Sequence, residues 1–135
     1  MVYIINDIIK KEIQMYKIVF YQDKNGRREV EEYLKRISSS KQLNDKRVAG
    51  KLRYQFELLE LLGPQIEYPQ ARFLRGLKYP IWELRPLPER VFFIAWQKDN
   101  FVLLSHYTKD QNKTDIKQLN HAIRLADDWF ERFGK

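Results

Sequence analysis

The spacing of apolar residues changes along the chain and predicts a sequence of strands and helices. Residues 16–21 are rich in β-branched and aromatic side chains and precede an Asp-Lys-Asn-Gly turn, which predicts a first strand. Apolar side chains then recur with helical spacing over residues 30–37 and from about residue 44 to residue 62. Three serines follow the first of these segments, and Gly63-Pro64 ends the second. Two helices therefore follow the first strand.

Beyond the second helix, the pattern changes to the period of two that is typical of strands. Residues 82–85 alternate apolar and polar, residues 90–97 are apolar on both faces, and residues 101–109 follow a turn as a third strand. Helical spacing returns over residues 116–133. The order β-α-α-β-β-β-α predicts an α+β domain, with two N-terminal helices and one C-terminal helix packed on one side of a small, mostly antiparallel sheet.

The same pattern predicts one domain preceded by a short extension. Met15 stands immediately before the first predicted strand, so we expect an N-terminal extension at residues 1–14 and a single domain at residues 15–135. The isoleucines of the extension have rough helical spacing, which leaves a helix there as the alternative, and either Met1 or Met15 serves as the start. A chain of 135 residues can bury a core without disulfides, and the sequence contains no cysteine.

The positive net charge of the chain indicates which classes of molecule it can bind. Lys and Arg total 25 against 18 acidic residues, a formal net charge of +7 that attracts polyanions, with nucleic acid first among them. A basic protein without such a partner is the alternative that charge alone leaves open. No apolar run approaches the roughly 20 residues that a membrane helix needs, so we expect a cytoplasmic protein that does not bind membranes.

The basic residues concentrate in and after the predicted sheet. Alternation places Glu83, Arg85 and Arg90 on one face and Trp82 on the other. Guanidinium groups bind phosphate through two parallel hydrogen bonds, so this face is suited to gripping phosphates. The alternative is an exposed face whose Glu–Arg ion pairs contribute little to stability.

The residue types present fit metal-independent RNA cleavage. No His, Asp and Glu cluster has the spacing of metal ligands, and no glycine-rich phosphate loop occurs. A nuclease without a metal uses Lys, Arg, His and Tyr to move protons and to stabilise the charged phosphate. His106 and Tyr107 are neighbours in the last predicted strand, so alternation sends them to opposite faces and at most one points into a common site.

Several blocks of the sequence resemble the centre of the RelE/HigB toxin superfamily, and most closely its phage-derived HigB-type branch. They are Phe-Leu-Arg-Gly-Leu at 73–77, Ile-Trp-Glu-Leu-Arg at 81–85, Arg-Val-Phe-Phe at 90–93, and Leu-Leu-Ser-His-Tyr-Thr-Lys at 103–109 followed by Lys113-Thr114. The resemblance covers residues 15–130. The sequence differs from the branch at three positions. Asp110 stands where a second Lys is common, Asp115 stands where Pro is frequent, and Tyr107 stands where Phe is frequent.

The resemblance implies a RelE-like fold and a type II toxin: a metal-independent endoribonuclease without a cofactor that cuts mRNA, depends on the ribosome and inhibits translation. It implies a cognate antitoxin as partner, of the helix-turn-helix HigA type, besides mRNA and the ribosome. The catalytic residues would be Arg85, Arg90, His106, Tyr107 and Lys109, and the RNA-binding residues would be Arg72, Arg75, Lys78 and Lys113.

Two alternatives come from other classes. A toxin of the same fold can bind and poison an enzyme such as DNA gyrase without cutting RNA. A basic module can also bind nucleic acid without any activity.

Overall fold

The computed structural model describes residues 15–109 and 115–135, which form three helices and a five-stranded sheet. No helix in these two ranges is long and apolar enough to cross a membrane. The elements are, in chain order, β1 (Lys17–Phe20), α1 (Glu29–Ser39), α2 (Leu43–Leu62) with a 3₁₀ turn at Gly63–Gln65, β2 (Ala71–Leu74), β3 (Ile81–Leu84), β4 (Glu89–Trp96), β5 (Asn100–Thr108) and α3 (Ile116–Phe133).

The sheet is mixed and has the strand order β1-β5-β4-β3-β2. β1 runs parallel to β5, and the other three pairs are antiparallel. The predicted α+β class and mostly antiparallel sheet are therefore confirmed. The sheet contains one strand more than predicted, because β2 pairs with β3 along Ala71–Leu74. Its two central residues, Arg72 and Phe73, are both exposed, so this edge strand lacks the alternation that marks the others.

Helices cover both faces of the sheet. The prediction from the sequence, which placed all helices on one side, was wrong on this point. Val91 and Phe93 of β4 pack in a cluster with residues of α1 and α2. Phe92 and Ile94 pack in a second cluster with residues of α3. Successive side chains of a strand point to opposite faces, so a central strand that is apolar throughout needs cover on both.

A one-residue bulge in β5 determines how its last residues face. The register between β4 and β5 shifts so that Phe93 lies opposite Leu103 while Phe92 lies opposite Ser105, which leaves Leu104 as the extra residue. Beyond the bulge, Val91 lies opposite His106 and Arg90 lies opposite Tyr107. His106 therefore faces α1 and α2, whereas Tyr107 belongs to the cluster with α3. The predicted separation of these two side chains onto opposite faces is confirmed.

The N-cap of α3 is Asp115, which stands where the HigB-type branch often has a proline. The Asp115 side chain accepts a hydrogen bond from the Gln118 amide at 3.3 Å, which satisfies one free donor of the first helical turn. The negative charge of Asp115 is also favourable at the helix N-terminus. Asp115 therefore has a structural role that proline, which lacks a side-chain acceptor, does not provide.

The first described residues are fixed to α2 and β5. The Tyr16 amide donates to the Glu60 carbonyl at 2.9 Å, and the Tyr16 ring packs on Phe101 with 5.6 Å between ring centroids. Gly63 ends α2 with a φ of +56°, and a Cβ there would lie 2.4 Å from the Tyr16 ring. Only glycine therefore fits this close approach. Residues 1–14 lie outside the described residues, so the predicted extension and domain boundary stay predictions.

Deleting residues 1–14 is expected to leave a folded domain, because the contacts at the beginning of the sheet start with Tyr16. The midpoint of thermal unfolding should change by less than about 2 °C. Replacing Tyr16 with alanine in the full chain is the matched control and should cost about 2 kcal/mol or more, because it removes ring packing at Gly63 and Phe101. Loss of the cooperative transition in the truncated chain would contradict the predicted boundary.

Candidate functional site

Four polar side chains meet at one end of the sheet, on the face covered by α3. Glu83 lies in β3 and Arg85 follows that strand, while Arg90 lies near the beginning of β4 and Tyr107 near the end of β5. Leu84 pairs with Val91, so continuation of the register brings Arg85 opposite Arg90, which itself pairs with Tyr107. Alternation correctly predicted the shared face of Glu83, Arg85 and Arg90. We call these four residues the arginine cluster.

Glu83 and Arg90 form a buried ion pair rather than part of an exposed face. Their residue exposures are 1% and 7%, and Arg90 Nε lies 3.8 Å from Glu83 Oε1. Arg90 Nη1 also donates to the carbonyls of Pro88 at 3.2 Å and Glu89 at 3.0 Å. Burial lowers the pKa of Arg90, attraction to Glu83 opposes that shift, and the nearby Arg85 charge adds to it. A guanidinium keeps its charge under such conditions.

The arginine cluster contains hydrogen-bond donors that have no protein acceptor. Among the residues described, no acceptor bonds the buried Nε and Nη1 of Arg85, the Nε of Arg90 or the hydroxyl of Tyr107, and the buried Glu83 Oε2 has no donor. Buried donors are rarely left unpaired, because each one loses its bond to water. Two cations beside one carboxylate, with donors still free, favour an anionic ligand at this place.

Tyr107 contributes a neutral hydroxyl to the arginine cluster. Burial raises the pKa of Tyr107, and the negative charge of Glu83 raises it further. The phenol therefore keeps its proton at neutral pH and can donate it, but it does not act as a base. Its ring stacks on Phe92 at 5.4 Å between centroids, which fixes the side chain on this face.

His106 lies on the opposite face, next to two carboxylates and away from Arg85 and Arg90. Its ring stacks on Tyr33 with 3.9 Å between centroids. Nε2 lies 4.0 Å from Glu29 Oε1, and Nδ1 lies 4.0 Å from Glu89 Oε2. A cleft of about 590 Å³ on this side is lined by His106 and by basic residues of α1 and α2, including Lys51. The structure thus brings Tyr107, and not His106, to Arg85 and Arg90.

Glu89 is expected to stabilise the protein through its charged form. Burial raises the pKa of Glu89, but interaction with the nearby His106 ring and the hydrogen bond from the Thr108 hydroxyl outweigh burial, and the net shift is downward from 4.5. A lowered folded-state pKa contributes stability that is present above the unfolded value and is lost as the pH falls through the folded value. Glu89→Gln should therefore cost about 1–2 kcal/mol at pH 7.

Urea unfolding of the wild type and Glu89→Gln at several pH values between about 7 and 3 measures this contribution. The difference in unfolding free energy should shrink once the pH falls below the ordinary range of a carboxyl group. A difference that stays constant over the whole range would show that the charge of Glu89 plays no part.

The structure places the remaining predicted basic residues at different distances from the arginine cluster, and Arg75 and Lys78 lie near the other end of β3. Arg72 is exposed on edge strand β2 and pairs with Glu83, so it shares the cluster's face. Arg75 is exposed beyond β2, and the Lys109 amide donates to the Pro88 carbonyl at 3.1 Å, which holds Lys109 at the cluster's end of the sheet. Lys78 Nζ pairs with Asp127 of α3 at 2.7 Å, so its charge is partly neutralised. Lys113 lies outside the described residues.

Sequence reasoning missed one aromatic residue beside the cluster. The Arg85 guanidinium lies over the Tyr68 ring, 4.4 Å from its centroid, and Tyr68 is 69% exposed. The available signal was an aromatic residue in the polar, proline-containing turn before Arg72, but no pattern in one strand or helix connects it to Arg85. The burial of the Glu83 side chain was also not evident from the sequence, because a carboxylate in an alternating strand normally faces water.

The described residues contain no group of three or more His, Asp and Glu side chains placed to hold a metal ion. The arginine cluster contains two guanidinium groups, one carboxylate and one phenol. This set can bind an oxyanion, stabilise negative charge that develops on it, and supply a proton.

Comparison with known proteins identifies the family of this chain. No curated protein is similar enough to the chain to match it. The family model of phage derived protein Gp49-like (DUF891) matches residues 41–127, from before α2 into α3, and so includes the whole arginine cluster. That family is associated with toxin–antitoxin toxins of the RelE/HigB type, which implies an antitoxin as partner. Since the match covers more than half of the chain, the protein belongs to the Gp49-like family of phage-derived toxins.

Proposed function

We propose that this toxin is a metal-independent endoribonuclease of the HigB type that cuts mRNA on the ribosome and so stops translation in the cytoplasm. The observation that supports this proposal most is the pair of guanidinium groups of Arg85 and Arg90, which lie on opposite residues of neighbouring strands and have unpaired donors. Glu83 is the one carboxylate of the arginine cluster, and it pairs with Arg90. Such a site has an excess of positive charge where a phosphodiester can bind.

Cleavage of RNA needs charge stabilisation more than it needs a redox or metal group. The 2′-oxygen attacks the adjacent phosphorus while its proton leaves to water, and the bond from phosphorus to the 5′-oxygen breaks. The products are a 2′,3′-cyclic phosphate and a 5′-hydroxyl. Negative charge rises on the non-bridging oxygens during the attack, and preorganised donors lower the barrier most when they are directed at that charge.

The geometry divides the work among the cluster residues. Arg85 is only half-buried, so it contacts the scissile phosphate, while the deeper Arg90 strengthens the positive field behind it. Tyr107, protonated at neutral pH, supplies the proton for the leaving 5′-oxygen through a bridging water, because its hydroxyl is buried. Arg72, Arg75, Lys78, Lys109 and Lys113 provide further positive charge along the bound strand.

The antitoxin is proposed to be a helix-turn-helix protein of the HigA type that neutralises the toxin by covering this basic surface. Arg72, Arg75 and Lys109 would then lie beneath it. Co-purification of the pair with and without charge-reversed Arg72 and Arg75 tests this arrangement, and an unchanged yield of complex would place the antitoxin elsewhere.

Mapping mRNA 5′ ends after adding the protein to translating ribosomes tests the enzymatic proposal. Cuts at fixed positions within codons are expected with the wild type and with Arg53→Ala, a matched control on the exposed surface of α2. Intact mRNA together with stalled DNA gyrase would instead identify a toxin that poisons another enzyme. Intact mRNA with neither effect would leave a nucleic-acid-binding module.

A further inference from the structure

An aromatic residue that the proposed reaction does not use lies at the border of the arginine cluster. Tyr68 belongs to the turn at residues 67–70, which is closed by a hydrogen bond from the Gln70 amide to the Glu67 carbonyl at 3.0 Å. The Gln70 carbonyl accepts from the Arg85 amide at 2.9 Å, so this turn is attached to the backbone of the cluster. Tyr68 is thereby held next to Arg85.

One face of the Tyr68 ring is occupied by the Arg85 guanidinium, whose centre is 4.4 Å from the ring centroid. Hydrogen bonding to Arg85 and attraction by its charge lower the pKa of Tyr68, and the charges of Arg72 and Arg90 act in the same direction. The ring therefore lies within the positive field of the whole site rather than at its margin.

The hydrophobic core does not account for this placement. At 69% exposure, Tyr68 buries little apolar surface, and it belongs to neither core cluster. Trp82 and Phe73, the nearest aromatic residues along the chain that stack, contact each other instead. A flat aromatic ring that is open to solvent beside a phosphate-binding arginine is what a nucleobase stacks on, because every base has a π-face.

We propose that Tyr68 is the stacking platform for the nucleobase next to the phosphate held by Arg85, and that the site therefore takes single-stranded RNA. This inference rests on the proposed endoribonuclease function. A base can stack on Tyr68 only after it leaves its own helix, so paired RNA is excluded from the site. Arg72 lies on the same face at the edge strand and binds the following phosphate.

A fluorescent base tests the stacking directly. Ribosomes are programmed with an mRNA that carries 2-aminopurine beside the mapped cut and a 2′-O-methyl group at the scissile nucleotide, which prevents the attack. Saturating wild-type toxin should quench the 2-aminopurine, and so should Tyr68→Phe, because the phenyl ring remains. Tyr68→Ala and Tyr68→Leu should lose the quenching and bind about 10-fold more weakly. Tyr54→Ala, which removes another exposed tyrosine from α2, should behave as the wild type.

The outcomes separate this inference from the function on which it rests. Weaker binding of Tyr68→Ala with full quenching at saturation would mean that Tyr68 only supports Arg85, and it would overturn the stacking role. Unchanged binding and quenching would overturn it as well. In both cases cleavage of unmethylated mRNA by the wild type keeps the proposed function intact. A wild type that cuts no mRNA would remove both proposals.

Discussion

Arg85→Ala is expected to reduce mRNA cleavage by about a hundredfold or more, the effect of losing one preorganised donor that stabilises transition-state charge. The same change should cost less than about 1 kcal/mol of stability, because Arg85 is half-buried and its Nε and Nη1 have no protein acceptor to lose. Arg85→Lys keeps the charge but not the planar fork, so it should recover activity only in part.

Growth arrest after induced expression, cleavage on ribosomes and the melting temperature together measure this prediction. Arg53→Ala removes an equivalent charge from the exposed surface of α2, on the other side of the sheet, and should leave all three unchanged. An Arg85→Ala protein that melts normally and still arrests growth would remove Arg85 from the site.

Glu83→Gln is expected to be the most destabilising conservative change at the cluster, at about 3 kcal/mol. Arg90 would then remain charged and buried without its ion-pair partner, and the cost of an uncompensated buried charge is of this size. The control Glu57→Gln, on the exposed side of α2, should change the unfolding free energy by less than about 0.5 kcal/mol. Urea unfolding measures both.

A double replacement, Glu83→Met with Arg90→Met, separates stability from activity. Exchanging a buried ion pair for apolar side chains of similar volume is often neutral, so the double variant should recover most of the stability lost in Glu83→Gln. It should nevertheless cut no mRNA, because the positive field of Arg90 is gone. Full cleavage by the stable double variant would show that the ion pair is a structural element alone.

Composition and periodicity predicted the three helices and four of the five strands, because most of these elements have a regular pattern of burial along the chain. α1 and α2 bury one stripe each, and β4 is buried on both faces. β2 escaped prediction because it is short and lies at an edge, where Arg72 and Phe73 face solvent together. The apolar character of β4 requires cover on both faces, but the helices were predicted on one side, because periodicity alone does not say which helix covers which face.

The site was predictable as far as it lies within single strands. Alternation placed Glu83, Arg85 and Arg90 on one face, and the structure agrees. The contact of Tyr68 with Arg85 joins a turn to a strand end, and the buried pair of Glu83 and Arg90 joins two strands. Contacts between distant segments leave no mark in local spacing, so both were beyond prediction.

The extra residue of β5 has a consequence for the comparison of related toxins. If the same residues paired without the bulge, Leu104 would lie opposite Phe92 and His106 opposite Arg90. That register would turn the His106 imidazole toward the arginines and the Tyr107 phenol toward Glu29 and Glu89. An imidazole would then take the place of a phenol that keeps its proton at neutral pH. Two proteins with an identical His-Tyr pair can thus present different acids to RNA, and an alignment of side chains without the strand register does not establish which one acts.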